Sequence, residues 1–196
     1  MTFELCRELG INLIFGFPNQ NSYHGAVNKL GWQMTDTMTC FSIPVKTLPL
    51  ESMVSKASLF GKLYKKYISF LMGKRLLPLQ GVSNSVFNDG YAGVCRNDDY
   101  LKYRTYNPTQ VIKVQHAKVW MRLKFNLVIG DMEGITAANF TIVIDKLKNL
   151  AFKMGLKQIQ FHCSPGTELH RLFSMNFKAI QSYPMLFQDF GSPIPI

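Results

Sequence analysis

The stretch 119–163 constrains the fold of this chain more than any other. Residues 119–129 first alternate apolar and polar side chains and then turn continuously apolar, the pattern of a strand that enters the middle of a sheet. After a predicted turn at 130–134, apolar residues at helical spacing predict a helix that ends at Gly155. Residues 157–163 return as a strand. Such an α/β unit binds ligands at the edge of its first strand and at the N-terminus of its helix.

Length and composition are those of a folded globular protein. The chain has 196 residues, 47% of them hydrophobic, enough to bury the core of a domain. It has no apolar run near the roughly 20 residues that span a bilayer and no signal-peptide pattern, so we expect a cytoplasmic protein. Widely spaced cysteines, without a Cys/His cluster, favour buried free thiols and no metal site. They are Cys6, Cys40, Cys95 and Cys163.

Positive charge is concentrated in one segment. Residues 46–80 carry seven basic residues against one acidic residue, +6 of the chain's net charge of +10. Apolar spacing predicts one amphipathic helix over 52–74, with its lysines on the opposite face. Three roles are open for it: packing on the sheet as ordinary core, peripheral contact with an anionic membrane, or binding of a ligand phosphate. No aromatic-rich RNA-binding pattern accompanies it, so specific nucleic-acid binding is not expected.

The N-terminal part alternates helices and strands. Residues 2–9 predict the end of an amphipathic helix, and residues 11–17 predict a buried strand. A turn at 18–22 offers Asn and Ser side chains to cap a helix over 23–30. A strand is predicted near 39–45.

The connecting region and the C-terminal part follow a similar pattern. Residues 81–93, rich in Gly, Asn and Ser, predict loops and one weak strand. Asn97 or Asp98 is expected to cap a short helix that ends before Pro108. From Val111 onward the predicted order is strand, strand, helix, strand, helix, strand.

Two short motifs resemble a known family. The sequence I-F-G-F-P-N-Q-N-S-Y at 14–23, followed by K-L-G-W at 29–32, resembles the second half of a domain of the GNAT superfamily of N-acetyltransferases. The element order after Val111 resembles the GNAT core again. The resemblance implies an α/β fold, with a mixed sheet flanked by helices, built from one near-complete module and a partial one.

The resemblance also implies a division of the chain. Residues 1–45 would be the C-terminal half of a first GNAT-like module, and residues 46–110 the basic helix with a connecting segment. Residues 111–196 would form the core of a second module, together with helix 52–74.

The family resemblance further implies a function and a site. In such enzymes the strand before the turn splays from its neighbour, and the acyl-CoA thioester and pantetheine arm lie in the resulting V. Acetyl transfer from acetyl-CoA to an unknown amine is implied, with N–H groups near 15–17 stabilising the oxyanion. Tyr23 is the catalytic candidate, because Val27 stands where many GNAT enzymes have their general-acid Tyr. The cofactor-side candidates are Phe15, Gly16, Phe17, Asn19, Asn21 and Ser22.

An alternative follows from two departures from the family. The family's phosphate-binding loop would precede Thr2, and the matching segment of the second module, 130–139, has Asp131 and Glu133 where phosphates would lie. The second module is therefore predicted to be degenerate. The alternative is a non-catalytic GNAT-like binding or assembly module for an anionic ligand, a membrane surface or a partner subunit, a homodimer included.

The sequence gives little support for other kinds of catalytic site. No GxSxG or P-loop motif occurs. His162 and Cys163 are adjacent on a predicted strand, so their side chains should point to opposite faces and cannot act as a nucleophile pair. The histidines lack metal-ligand spacing; they are His24, His116, His162 and His170.

Overall fold

The computed structural model describes residues 2–48, 50, 58–77, 81–104 and 109–193. No helix within these ranges is both long and apolar enough to cross a bilayer. The elements, in chain order, are α1 (Thr2–Glu8), β1 (Leu13–Gly16), α2 (Gln20–Leu30), β2 (Gln33–Pro44), α3 (Ser58–Gly73), α4 (Ser85–Asn88), α5 (Asp98–Tyr103), β3 (Gln110–Val114), β4 (Ala117–Leu123), β5 (Leu127–Glu133), α6 (Ala137–Met154), β6 (Gln158–Cys163), α7 (Glu168–Ser174) and β7 (Ala179–Asp189).

The strands form one seven-stranded sheet in the order β1-β7-β2-β6-β5-β4-β3. β5 and β6 run parallel, and the other neighbouring pairs are antiparallel. The predicted mixed sheet flanked by helices is confirmed. β2 lies between β6 and β7, so the segments 1–45 and 111–196 contribute to the same sheet. The division of the chain into domains stays a prediction.

The segment predicted as one strand over 119–129 is two. β4 and β5 pair antiparallel, with Leu123 opposite Leu127, and the amide of Lys124 donates to the Asn126 carbonyl at 3.1 Å across the turn. The change from alternating to continuous apolar residues marks the passage from one strand to the next. The predicted turn at 130–134 is also wrong, because β5 continues through Glu133.

The main core lies on one face of the sheet, under α3, α6 and α7. Helix α6 agrees with its prediction and ends at Gly155, whose φ of 67° is easily adopted by glycine. Phe173 of α7 is fully buried, with its ring centroid 4.5 Å from that of Phe161 and 5.0 Å from that of Phe140. The buried residues of α6 are Phe140, Val143, Ile144, Leu147, Leu150, Ala151 and Met154.

The N-terminal elements are as predicted in type but not in extent. Asn19 caps α2 as expected, accepting a 3.0 Å hydrogen bond from the Ser22 amide. β2 begins at Gln33, earlier than predicted. The expected buried strand over 11–17 is the short edge strand β1, which pairs with β7 alone and leaves Phe15 43% exposed.

The segment 81–104 packs on the opposite face of the sheet from the main core. The weak strand expected in 81–93 is wrong, because helix α4 forms there with Asn84 as its N-cap. Asn97 caps α5 as predicted, accepting a 3.0 Å hydrogen bond from the Tyr100 amide. The indole of Trp120 is 94% buried in a small apolar cluster with this segment.

Candidate functional site

β5 and β6 separate part-way along their length. The parallel pairing covers Leu127–Ile129 opposite Ile159–Phe161 and then stops. β5 remains paired with β4, and β6 remains paired with β2 as far as Cys163. The sheet therefore has an opening between two adjacent strands, at which backbone N–H and C=O groups have no ladder partner across the gap.

A β-bulge marks the start of this opening. Trp120 pairs with Asp131 and Met121 with Ile129, so Gly130 is left out of the ladder. A Cβ atom at Gly130 would lie 2.5 Å from the Trp120 indole. Glycine is required here because the indole lies against the backbone.

A groove of about 370 Å³ surrounds the opening. Its walls are mostly aromatic and apolar, and its basic residues are two arginines and one histidine. The lining residues are Phe17, Met38, Arg104, Thr109, Trp120, Met121, Arg122, Val128, Ile129, Gly130, His162 and Tyr183.

His162 of β6 faces this groove. Its Nδ1 lies 2.8 Å from Ser182 Oγ, its Nε2 lies 3.6 Å from Cys40 Sγ, and its ring stacks on Tyr183 with centroids 5.7 Å apart. Burial lowers the pKa of His162 below its ordinary value of 6.5, so the imidazole is neutral at pH 7. These contacts hold the His162 imidazole in one orientation, as a general base requires.

The cysteines divide between the two faces of the sheet and the surface. Cys163 faces the main core while His162 faces the groove, as their adjacency on a strand predicts. Burial raises the pKa of Cys163 to about 12, so this thiol is inert. The expectation of four buried thiols is wrong, since Cys40 is half-buried and Cys95 is exposed.

Arg104 forms the wall of the groove nearest β4. Its guanidinium lies over the rings of Tyr100 and Trp120, 5.7 and 5.4 Å from their centroids, and donates to the Tyr100 hydroxyl at 2.8 Å. The Nε atom of Arg104 and the Nε1 atom of Trp120 are buried without a hydrogen-bond partner in the described part of the chain.

The two acidic residues of β5 do not repel a ligand as predicted, because each has a cationic partner. Asp131 pairs with Arg96 and accepts from the Ser85 amide at 3.0 Å. Glu133 pairs with Lys118 at 3.2 Å. Both carboxylates are therefore neutralised, and Asp131 ties the segment 81–104 to the sheet.

Most residues assigned by resemblance lie away from this groove. Among Phe15, Gly16, Phe17, Asn19, Asn21 and Ser22, only Phe17 lines it. Asn19 and Ser22 hydrogen-bond to each other at the start of α2, and Asn21 is exposed on that helix. β1 is paired with β7 over its whole length, from Leu13 to Gly16. The cofactor roles of these residues stay predictions.

Tyr23, the catalytic candidate, lies on α2. Its hydroxyl is 3.7 Å from the sulfur of Met34, and its ring packs against His24. Tyr23 does not line the groove. Its role as a general acid also stays a prediction.

The pairs of site residues that sequence reasoning could not predict come together only through the tertiary structure. Cys40 lies opposite His162 because β2 pairs with β6, and Arg104 reaches Trp120 because the segment 81–104 folds onto β4. The nearest sequence signal was the aromatic and basic composition of 100–106, which indicates stacking but not its partner.

Comparison with known proteins identifies the fold. A GCN5-related N-acetyltransferase (GNAT) from Kribbella flavida superposes on 97% of this chain, with a TM-score of 0.54 and 12% sequence identity. A conserved protein of unknown function from Enterococcus faecalis V583, called a probable N-acyltransferase, superposes on 97% with a TM-score of 0.52 and 13% identity. The chain has the GNAT fold. No protein-family model matches it, and no curated protein matches it in sequence.

The GNAT fold of this chain corresponds to only part of each of these proteins. The chain spans 46% of the Kribbella protein and 48% of the Enterococcus protein, about half of their length. The V expected beside the strand before the early turn is wrong in its location, because β1 pairs with β7 over its whole length. The strands that separate within this fold are β5 and β6.

Proposed function

We propose that the chain is an acyl-CoA-dependent N-acyltransferase that transfers an acetyl group from acetyl-CoA to an amine. The observation that carries this proposal is the separation of β5 and β6 beyond Ile129 and Phe161. An extended arm that contains amides can pair with the unpaired backbone of separated strands, as an added strand does at a sheet edge. The pantetheine arm of CoA is such a group.

The thioester would lie at Gly130, where the bulge leaves the backbone out of the β4 ladder. The amine attacks the thioester carbonyl, and a backbone N–H of the bulge stabilises the oxyanion that forms. The C–S bond then breaks, and the CoA thiolate accepts a proton. His162, which is neutral at pH 7, takes the proton released by the attacking amine. We assign its Nδ1–H to Ser182, so the Nε2 lone pair, which lies 3.6 Å from the weakly donating Cys40 thiol, accepts that proton in place of this contact.

Gly130→Ala tests the place of the cofactor. The added Cβ would meet the Trp120 indole at 2.5 Å and displace it into the groove. We expect acetyl-CoA to bind the wild-type chain. In the Gly130→Ala variant the affinity for acetyl-CoA should be roughly tenfold lower, a loss of about 1.4 kcal/mol in binding free energy. Isothermal titration calorimetry measures the affinity of the wild-type chain and of the variant for acetyl-CoA.

Gly25→Ala is the matched control, because a Cβ at Gly25 has no atom within 4 Å. Its affinity for acetyl-CoA should equal that of the wild type. Absence of heat and of any shift in melting temperature with acetyl-CoA would exclude this function for the chain. Equal affinities of the two glycine variants would exclude the proposed position of the thioester.

A second candidate function rests on helix α3. Its predicted start at 52–57 lies outside the described residues, and its inner face packs on the core as expected. Its outer face, however, is not purely basic. Three large apolar side chains are exposed beside lysines, with Phe60 at 62%, Leu63 at 59% and Phe70 at 78% exposure. This combination of apolar and cationic groups matches an anionic membrane surface.

We accordingly propose that α3 contacts anionic lipid. The chain is expected to sediment with phosphatidylcholine vesicles that contain phosphatidylserine and not with phosphatidylcholine alone, and salt should weaken the binding. Phe70→Ser should reduce binding several-fold, about 1 kcal/mol or more. Phe125→Ser, at a 63% exposed position in the turn between β4 and β5, is the control. Binding to heparin but not to vesicles would contradict a lipid partner.

A further inference from the structure

Arg104 is a cation in the groove without a matching anion. It is held by two aromatic rings and one hydrogen bond to Tyr100, and no carboxylate within the described ranges pairs with it. Its Nε atom is buried and donates to no described atom. A guanidinium has five N–H donors, and a buried donor that stays unpaired is costly. Because Arg104 also lines the groove, the guanidinium N–H groups that have no described acceptor can pair with a ligand bound there.

The charges around Arg104 also favour an anionic ligand. Within the described ranges, the groove lining contains the Arg104 guanidinium and no Asp or Glu. Asp131 and Glu133, the acidic residues on neighbouring β5, are engaged by Arg96 and Lys118. The field in the groove is therefore positive, and its low polarity makes an anion bound there interact strongly.

Arg104 shares the groove with aromatic and apolar side chains. Trp120 is 94% buried, its Nε1 has no hydrogen-bond partner in the described structure, and the Arg104 guanidinium lies over its ring. The other walls of the groove are largely aromatic and apolar, with Phe17, Met38 and Tyr183 among them. A ligand that pairs with the Arg104 guanidinium and packs against these walls has an anionic end and an apolar body.

We propose that the acceptor amine carries a carboxylate next to an apolar side chain, as an apolar amino acid does, and that Arg104 binds this carboxylate. The proposal rests on the proposed N-acyltransferase function. A planar carboxylate matches the planar guanidinium and accepts two parallel hydrogen bonds from it. The apolar side chain packs against the aromatic walls. Amines without a carboxylate are accordingly poor acceptors.

The test uses a matched pair of product-like probes, N-acetyl-L-phenylalanine and N-acetyl-L-phenylalaninamide. They differ in the carboxylate alone, and their binding does not require acetyl-CoA. We expect calorimetry to show the acid binding at least about tenfold more tightly than the amide. In Arg104→Gln this ratio should fall to about one. Arg75→Gln, at an exposed position after α3, should retain the ratio.

Several outcomes would overturn the proposal. An amide that binds as tightly as the acid, no binding of either probe, or a ratio that persists in Arg104→Gln would each do so. Arg104→Lys keeps the charge but not the planar fork, and an intermediate ratio is expected for it. Melting temperatures of all variants establish that they are folded.

A phosphate of CoA is the competing source of the anion. If Arg104→Gln weakened the binding of acetyl-CoA itself, Arg104 would bind a phosphate of the cofactor and the proposal would be wrong; equal binding of acetyl-dephospho-CoA to wild type and variant would then identify the 3′-phosphate, and unequal binding the pyrophosphate. The proposed N-acyltransferase function is tested separately. It would be excluded if acetyl-CoA did not bind the chain. A chain that ignored acetyl-CoA but kept an Arg104-dependent preference for the acid would retain the carboxylate site and lose the transferase function.

Discussion

Asp131→Ala is expected to destabilise the chain by about 3 kcal/mol. Asp131 is 98% buried, pairs with Arg96, and accepts a hydrogen bond from the Ser85 amide. Removing the carboxylate leaves the Arg96 guanidinium, 81% buried, without a counter-ion. The loss should also loosen the segment 81–104, which carries Arg104. Urea unfolding of wild type and variant measures the difference in free energy.

Asp145→Ala is the matched control for this change. Asp145 pairs with Lys148 at 3.4 Å on the exposed face of α6, and such surface pairs contribute about 0.5 kcal/mol or less. The control should therefore unfold close to the wild type. An Asp131→Ala variant that also stays within about 0.5 kcal/mol would show that the buried ion pair does not hold the segment 81–104 to the sheet.

His162→Gln is expected to lower the rate of acetyl transfer by about 10²- to 10⁴-fold, because glutamine cannot accept the proton of the attacking amine. Affinity for acetyl-CoA should change little, since the imidazole acts on the amine. The measurement is the release of CoA thiol with apolar amino acids as acceptors. His24→Gln, at an exposed position on α2, should leave the rate unchanged.

The pH dependence of the wild-type rate provides an independent test of His162. Burial lowers its pKa below 6.5, so the imidazole stays neutral as the pH falls to that value and becomes protonated only below it. With the acceptor amine at a saturating concentration, kcat/KM for acetyl-CoA should accordingly decrease on the acid side only below pH 6.5. An acid limb that survives unchanged in His162→Gln would mean that another group is the base.

Local sequence signals predict most of the described helices, α4 excepted, and several of their ends. Asn19 and Asn97 are N-caps in the structure because a short polar side chain can reach a nearby amide whatever the rest of the chain does. Gly31 and Gly155 end α2 and α6 with φ near 69° and 67°, as a glycine at that position favours. These signals depend on neighbours in sequence alone.

Strand order and the groove could not be predicted in this way. The place of β2 between β6 and β7 depends on contacts between distant parts of the chain, and it alone brings Cys40 next to His162. The tight turn at 124–126 carries no Gly or Pro, so the sequence pattern predicts one strand where the structure has two. The burial of Trp120 under Arg104 likewise depends on tertiary packing that periodicity does not encode.

Amide hydrogen exchange with and without acetyl-CoA tests whether acyl-CoA binds between β5 and β6. Bound acetyl-CoA should slow exchange in peptides covering 129–134 and 161–164, where backbone groups lack a partner across the opening, and should cause no change in peptides covering 13–23. Slower exchange at 13–23 with none at the opening would contradict binding there and would favour the cofactor site implied by the early Asn- and Pro-containing turn.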